Sequence, residues 1–386
     1  MKIKTTKSIL APIVDAASRV LGSKVYDQSY LGADFSVDKD GHATLFIRKE
    51  GAALSLLCDL GEDDANVQGT VHVLDFKTLT ELVKLASDEE IAVESDDDRQ
   101  SLCVTSGTNR SAIPTSDALL PKDDSFPEGD ATAEIKFPDD AFLKLLKSVN
   151  YSTGDDDLRP VMQNVCVDFG DDGIIVAATD SRRIAVAMLP GDYAIKTGRI
   201  LVPQYICNIA KYMSADGGAV TFRQNTDKPH VFSIATGPFV LTNGHQPAGK
   251  FPDYRKVFPK DNPHFITVER TALISALKTV SNFAGGTNSP AKFSFTKELT
   301  GDTLTVIGED IGFNMKASQN IPCETDLDET VKVGFNCALL QEMLANLPDE
   351  SITFHIKDPR TPVLLTAADA EGKTVDRGVI TTILVA

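Results

Sequence analysis

The chain has 386 residues, is 42% hydrophobic and 24% charged, and holds 19 Pro and 26 Gly; that is the profile of a folded globular chain with room for two or three domains. Its 38 Lys and Arg against 55 Asp and Glu give a formal charge of −17, which argues against a protein that grips nucleic acid by net charge alone. No stretch approaches the ~18 apolar residues of a membrane span, the start lacks a signal-peptide apolar region, and six scattered cysteines without a CxxC pair suit reduced thiols, so a cytoplasmic protein without membrane contact is expected.

In chain order, one pattern recurs six times: a short alternating segment, a helix-start residue or Pro, then an amphipathic helix of about three turns. The copies open at Lys2, Val71, Glu134, Arg199, Phe265 and Val331. They predict helices over 7–24, 75–87, 139–151, 203–214, 269–280 and 336–347. In the third copy Phe142, Leu145, Leu146 and Val149 fall on one stripe, and in the fourth Ile206, Ile209, Ala210 and Met213 do. Asp75, Asp139 or Asp140, and Asn336 are suited to N-caps, and Pro203 to a first helical turn. The strands before the helices end near Thr5 and at Val73, Phe137, Val202, Val268 and Val333, in steps of about 68 and then 64, 65, 66 and 65. Between helices lie short strand candidates parted by turn signals at Gly41, Asp171-Asp172-Gly173 and Gly301-Asp302. Each unit then reads as one helix followed by about four strands, which implies antiparallel sheets and an α+β fold. Two units make a domain, giving three over 1–128, 129–262 and 263–386, with boundaries near the acidic stretch 121–134 and near 258–265.

The charge divides unevenly along this plan. The helical segments carry +2, 0, 0, +1, +1 and −1 in chain order, +3 together, so the remainder holds −20. Acid runs at Glu62–Asp64, Asp88–Glu90, Asp96–Asp98 and Asp155–Asp157 sit in turns and connections. Helices gathered on one side would form a mildly positive lining within a negative body, although Lys and Arg on helix faces also serve simply to solvate them.

Signatures of catalysis are missing. The sequence contains no GxGxxG, GxxxxGK[ST], GxSxG or HExxH, and its six histidines never pair at ligand spacing. Asp38-Lys39-Asp40-Gly41 hints at a calcium loop, but Ile47 stands where the bidentate Glu is required. A non-enzyme without metal or cofactor is expected. Two middle segments stand out instead. In one, Thr179-Asp180-Ser181-Arg182-Arg183 interrupts two apolar strands; in the other, Phe251, Tyr254, Val257 and Phe258 interleave with Pro252 and Pro259 as a rigid connection presenting apolar groups.

LRPVMQNV (158–165), AATDSRRIAV (177–186) and FPDYRKVFP (251–259) resemble the central-domain signatures of the bacterial DNA polymerase sliding clamps, the beta subunits of the replicative polymerase. VERTALISAL, GEDIGFNM and KVGFNCALLQEML are similar to that family's third domain, and Leu21-Gly22-Ser23-Lys24 after the first helix is similar to its first. The resemblance implies three repeated clamp domains, each with two helices packed on antiparallel sheets, dimerising head-to-tail into a ring. Duplex DNA would thread the ring without being read for sequence, and the replicative polymerase, the clamp loader and other proteins would dock through short peptides.

For DNA, helix placement in such a ring implies contacts from Lys7, Arg19, Lys24, Lys77, Lys84, Lys144, Lys147, Arg159, Lys211, Arg270 and Lys278. For the partner peptide, the resemblance implies a pocket walled by Met162, Thr179, Ser181, Arg182, Arg183, Ile184, Pro252 and Val257. Leu339, the stretch from Arg360 to Pro362, and Ile380, Thr381, Thr382 and Ile383 would complete it. The chain departs from the family where a Gly-His pair is replaced by Ser181-Arg182, where an often aromatic position is Leu339, and where a Met-Pro-Met ending becomes Ile380 to Ala386. A floor without Met is less adaptable, so an altered peptide preference is expected.

Overall fold

A computed structural model of the chain describes all residues other than 22–31, 39–41, 50–51, 60–65, 88, 97–99, 121–131, 194, 196–197, 214–216, 245–246, 287–288, 297–300, 328–330, 348–349, 369–373 and 381–386. Among the described residues there are six α-helices: α1 (Lys7–Leu21), α2 (Phe76–Leu85), α3 (Ala141–Asn150), α4 (Gln204–Met213), α5 (Arg270–Ser281) and α6 (Cys337–Asn346). All six fall on the expected segments. Asp75 caps α2 by accepting from the Thr78 amide at 3.0 Å, and Asn336 caps α6 by accepting from Leu339 at 3.0 Å. Asp139 accepts from the Ala141 amide at 2.9 Å as α3 begins. Pro203 differs from expectation: it ends the strand Arg199–Pro203, and α4 starts one residue later, so its fixed φ serves the extended segment rather than the helix. Glu269 is a cap that its strand-like setting concealed, accepting from the Thr271 and Ala272 amides at 2.8 and 2.5 Å.

The chain forms two compact units, residues 1–143 with 208–246 and residues 144–207 with 247–386. Among the described residues, each unit carries one twelve-stranded antiparallel sheet. In the first unit the strand order is Lys2–Thr6, Glu90–Ser95, Ser101–Ser106, Asn109–Ser116, Gly69–Val73, Ala33–Val37, His42–Lys49, Ala52–Asp59, Phe239–Asn243, Phe232–Thr236, Val220–Asn225 and Thr132–Phe137. In the second it is Arg199–Pro203, Asn164–Gly170, Gly173–Thr179, Arg183–Pro190, Thr374–Ile380, Val363–Ala368, Ser351–Ile356, His264–Glu269, Met315–Thr325, Thr303–Asp310, Pro290–Thr296 and Val331–Asn336.

The repeats exchange their leading strands. Lys2–Thr6 runs into α1 yet pairs with Glu90–Ser95, which follows α2. Gly69–Val73 runs into α2 yet pairs with Ala33–Val37, which follows α1. The same exchange joins His264–Glu269 to Ser351–Ile356, and Val331–Asn336 to Pro290–Thr296. Thus neither helix–strand repeat completes a sheet alone, and consecutive repeats must fold together.

Apolar faces behind the helices fill the cores. In the first unit Phe137 stacks on Phe142 at 5.0 Å, and Phe142 meets Phe222 edge-on at 5.6 Å. In the second, Phe293 meets Phe335 and Phe354 at 4.9 and 6.1 Å, among the fully buried Leu273, Leu277, Leu340 and Leu344. α5 approaches the sheet so closely that a Cβ at Gly308 would stand 2.1 Å from the Val280 carbonyl oxygen, which excludes any side chain there. In the first unit the His72 ring and the Asp34 carboxylate bond at 2.7 Å in the interior, and the second Asp34 oxygen accepts from the Leu120 amide at 3.0 Å. This places a satisfied polar pair where the chain leaves its first eight-strand segment.

Candidate partner-binding site and helix cations

The segment Thr179–Arg183 builds the centre of the site. Strands Gly173–Thr179 and Arg183–Pro190 pair up to Thr179 and Ile184, and the turn between them is closed by its own side chains. Asp180 Oδ1 accepts from the Arg182 and Arg183 amides at 2.8 and 3.0 Å. Thr179 Oγ1 donates to the Arg183 carbonyl at 2.8 Å and accepts from the Ser181 amide at 3.1 Å. Ser181 lies at φ +74°, in the left-handed region that favours glycine. The Gly-to-Ser departure thus leaves a strained residue, held in place by the surrounding hydrogen bonds. Its hydroxyl accepts from Arg159 Nη1 at 3.0 Å, and Arg159 Nε bonds Asp156 at 2.9 Å. Arg159 sits outside the six helices, so the structure groups it with this turn rather than with the helix cations.

Arg183 is not an open wall residue. Its side chain is 5% exposed, and every nitrogen of the guanidinium is engaged. Nε bonds Asp180 at 3.2 Å, Nη1 donates to the Leu339 carbonyl at 3.1 Å, and Nη2 donates to the Tyr151 carbonyl at 2.7 Å and to Glu342 at 2.6 Å. The group also lies over the Tyr151 ring at 5.3 Å. Arg183 therefore bolts the turn to α6 and positions Leu339, which is half-buried. Tyr151 and Glu342 escaped the sequence reading, and Asp180 was named there only as part of the interrupting segment. Glu342, three residues after Leu339 on the same helix face, was the one with a readable signal.

Ile184 is buried with Cys166, Ala177, Phe251 and Tyr254, with Val161 and Phe258 packed on that cluster. The connection carrying Pro252 and Val257 is tied down through Asp168. That carboxylate takes hydrogen bonds from Arg199 at 2.5 and 2.8 Å and from the Tyr254 hydroxyl at 2.8 Å, and an ion pair from Arg255 at 2.9 Å. Burial pushes the Asp168 carboxyl up, but the bonds from Arg199 and Tyr254 and the two arginine charges outweigh it and hold it below the usual carboxylate range. Burial first, and the bond to Asp168 second, push the Tyr254 hydroxyl far up. Asp168 with a depressed folded value contributes stability that is present above the ordinary carboxyl value of 3.8 and is lost as pH falls through the folded value. We expect Asp168→Asn to cost about 2 kcal/mol at pH 7, with the gap to the parent closing below about pH 4. Denaturant unfolding at pH 3 and pH 7 measures both.

Met162, half-buried in the single helical turn Pro160–Gln163, accepts through its carbonyl from the Gly154 amide at 2.9 Å. A Cβ on Gly154 would lie 3.5 Å from Met162 Cβ and 3.7 Å from Asp180 Cα, which puts Met162 beside the turn. Pro252 and Pro362 are half-buried, and Ser181, Arg182 and Val257 are exposed. Asn262 Nδ2 donates to the His355 and Pro362 carbonyls at 2.8 and 3.0 Å, and Asp358 Oδ1 accepts from the Arg360 and Thr361 amides at 2.7 and 3.0 Å. Ile380 is fully buried, paired with Arg183 on one side and Val363 on the other. It belongs to the core beneath the site, because the strand Thr374–Ile380 is inserted between two others. Thr381, Thr382 and Ile383 lie outside the described residues.

The helix cations fall into two groups. Lys7, the first residue of α1, donates from Nζ to the Ala86 carbonyl beyond α2 at 2.7 Å. Arg270, the first residue of α5, donates from Nη1 to the Leu344 carbonyl in the last turn of α6 at 3.1 Å. The backbone repeats the match, with the Lys7 amide on Glu89 O and the Arg270 amide on Glu350 O, both at 2.7 Å. These two cations satisfy a neighbouring helix's C-terminal carbonyls. Lys84 is paired with Asp15 of α1. Lys77, Lys144, Lys147 and Lys278 are exposed on α2, α3 and α5. Arg19 and Lys211 lie in α1 and α4, with side chains outside the described set, and Lys24 lies outside it entirely.

No family model matches the chain. The Beta sliding clamp of Caulobacter vibrioides is 25% identical over 300 residues, covering 75% of this chain and 76% of that one. That of Proteus mirabilis is 26% identical over 286 residues, covering 70% of each. The crystal structure of the sliding clamp, DNA polymerase III subunit beta, from Pseudomonas aeruginosa bound to griselimycin matches with a TM-score of 0.83 at 19% identity, over 100% of both chains. Sequence similarity over three quarters of the chain and a shared fold over all of it make this chain similar to the bacterial DNA polymerase sliding clamps.

Proposed function

We propose that the chain is a DNA sliding clamp, a non-catalytic cytoplasmic processivity factor in which two copies close head-to-tail around duplex DNA. Each copy contributes three domains, 1–128, 129–262 and 263–386. The observation that carries this reading is the sixfold helix repeat in a chain whose fold matches known clamps over its whole length. Two half-open sheet edges favour head-to-tail closure. Among the described residues, Asn109–Ile113 pairs only with Ser101–Ser106, and Met315–Pro322 only with Thr303–Asp310. Unpaired edges of this kind are sites for adding a strand from another chain, and a donor and an acceptor on one chain give a heterologous contact that can close a ring. Exposed lysines on α2, α3 and α5 attract phosphates without reading bases. The turn at Thr179–Arg183, with Met162, Pro252, Val257, Leu339 and Pro362 around it, receives peptides from the replicative polymerase, the clamp loader and other proteins. Apolar anchors supply most of that binding.

Mass in solution and retention on nicked circular DNA, loaded in the presence of a clamp loader, test this. A dimer that stays on the circle at high salt and slides off after linearisation is expected. A monomer, or equal loss from circle and line, would mark a scaffold that gathers partners without being loaded.

A further inference from the structure

We infer that the hairpin tip Ile311–Asn314 is an apolar plug that seats on Leu74 and Leu119 of a second copy of this chain; the inference rests on the head-to-tail reading above. Strands Thr303–Asp310 and Met315–Thr325 pair to their last residues, Asp310 opposite Met315, so the loop between them has four residues. Its shape is fixed. Asp310 Oδ1 accepts from the Phe313 amide at 3.1 Å, the Ile311 carbonyl accepts from Asn314 at 3.4 Å, and Asn314 takes φ +53°. This turn holds Ile311 84% exposed and Phe313 78% exposed, with Met315 exposed beside them. Two large apolar groups on a rigid tip gain nothing from solvent, and such groups mark contact surfaces.

The tip continues the free edge at Met315–Pro322. Antiparallel pairing of that edge with Asn109–Ile113 of another copy runs the two strands in opposite directions. The Ile113 end then meets the low-numbered end of the other strand, and the tip projects past it toward Pro114 and the residues that follow. Leu74 is there, its amide donating to the Pro114 carbonyl at 3.2 Å, and Leu119 lies five residues beyond Pro114. Both leucines are nearly half exposed. The cations on the two edges are engaged within their own chains. Lys316 on one edge is turned to Glu309 at 4.0 Å, and Arg110 on the other donates to Cys103 Sγ at 2.8 Å.

The dimer dissociation constant, by sedimentation equilibrium, tests the assignment. Ile311→Ser with Phe313→Ser should weaken the dimer by about 100-fold, from loss of two buried apolar side chains, with an unchanged far-ultraviolet circular dichroism spectrum because both are solvent-exposed in the single chain. Leu158→Ser, which removes another exposed apolar side chain elsewhere, should leave the dimer as it was. Leu74→Ser with Leu119→Ser should weaken it similarly, and joining the two pairs should add little, since both remove one contact. A tip variant that dimerises like the parent overturns the plug and leaves the ring intact. Fully additive effects also overturn it, since the tip would then seat elsewhere. A parent chain that is itself monomeric overturns the ring reading and the plug with it.

Discussion

Arg183→Ala should destabilise the unit that carries it by about 3 to 5 kcal/mol and abolish capture of a labelled clamp-binding peptide. Denaturant unfolding followed by circular dichroism reads the first effect, and fluorescence anisotropy the second. Alanine would leave the Asp180 carboxylate, whose side chain is 9% exposed, without its cation, and would orphan the Tyr151 and Leu339 carbonyls that Arg183 serves. Removing one member of a buried charged pair costs more than the pair was worth, because the survivor keeps its desolvation penalty. Arg183→Lys separates charge from geometry. A single ammonium cannot serve two carboxylates and two carbonyls from the guanidinium's planar fork, so lysine should restore part of the stability and little of the peptide binding. Glu342→Gln should cost less than about 1 kcal/mol, because that carboxylate is half exposed and well screened. Peptide affinity that survives Arg183→Ala in the folded protein would show that α6 and Leu339 hold position without the arginine.

Arg183 also illustrates how much was legible in the sequence. The five-residue interruption of two apolar strands marked the turn that joins them, and the family resemblance named the residues expected around it. What the sequence could not show was direction. Arg182 and Arg183 are adjacent and chemically alike, yet one is exposed and the other buried, because Arg182 lies in the turn while Arg183 opens the strand and bonds Tyr151, Leu339 and Glu342, all remote in sequence. The same limit explains Ile380, which reads as a wall residue and is core, since the strand Thr374–Ile380 is flanked on both sides. Helices were readable because their spacing and caps are local, as at Asp75 and Asn336. Strand exchange between repeats was not, since every leading strand pairs with residues far along the chain and periodicity carries no record of the partner. The −1 on α6, out of keeping with the other helices, finds its reason in Glu342: that acid faces Arg183 across a bond of 2.6 Å.

Replacing Lys77, Lys147 and Lys278 by glutamine should weaken DNA binding by the unloaded protein about tenfold or more at low salt, and lower the slope of log affinity against log salt by up to about 3 per chain. The three lysines are exposed on three different helices, whereas Lys7, Lys84 and Arg270 are already committed to helix carbonyls or to Asp15. A chain of net charge −17 has no surplus of cations to spread over its surface, so phosphate attraction must come from a few placed groups, and each that touches a phosphate releases about one counterion. Lys136→Gln with Lys256→Gln serves as the control. Those lysines are also exposed, but lie off the six α-helices and are paired with Glu134 and Asp253 at 3.1 and 3.2 Å. They should leave the slope unchanged. Retention of a loaded ring on closed circular DNA at high salt should survive the triple change, because there the chain's closure, and not its charge, prevents escape. A triple variant with the parent's salt slope would show that these lysines face away from DNA. A variant that falls off the circle as readily as off a line would show that retention was electrostatic after all.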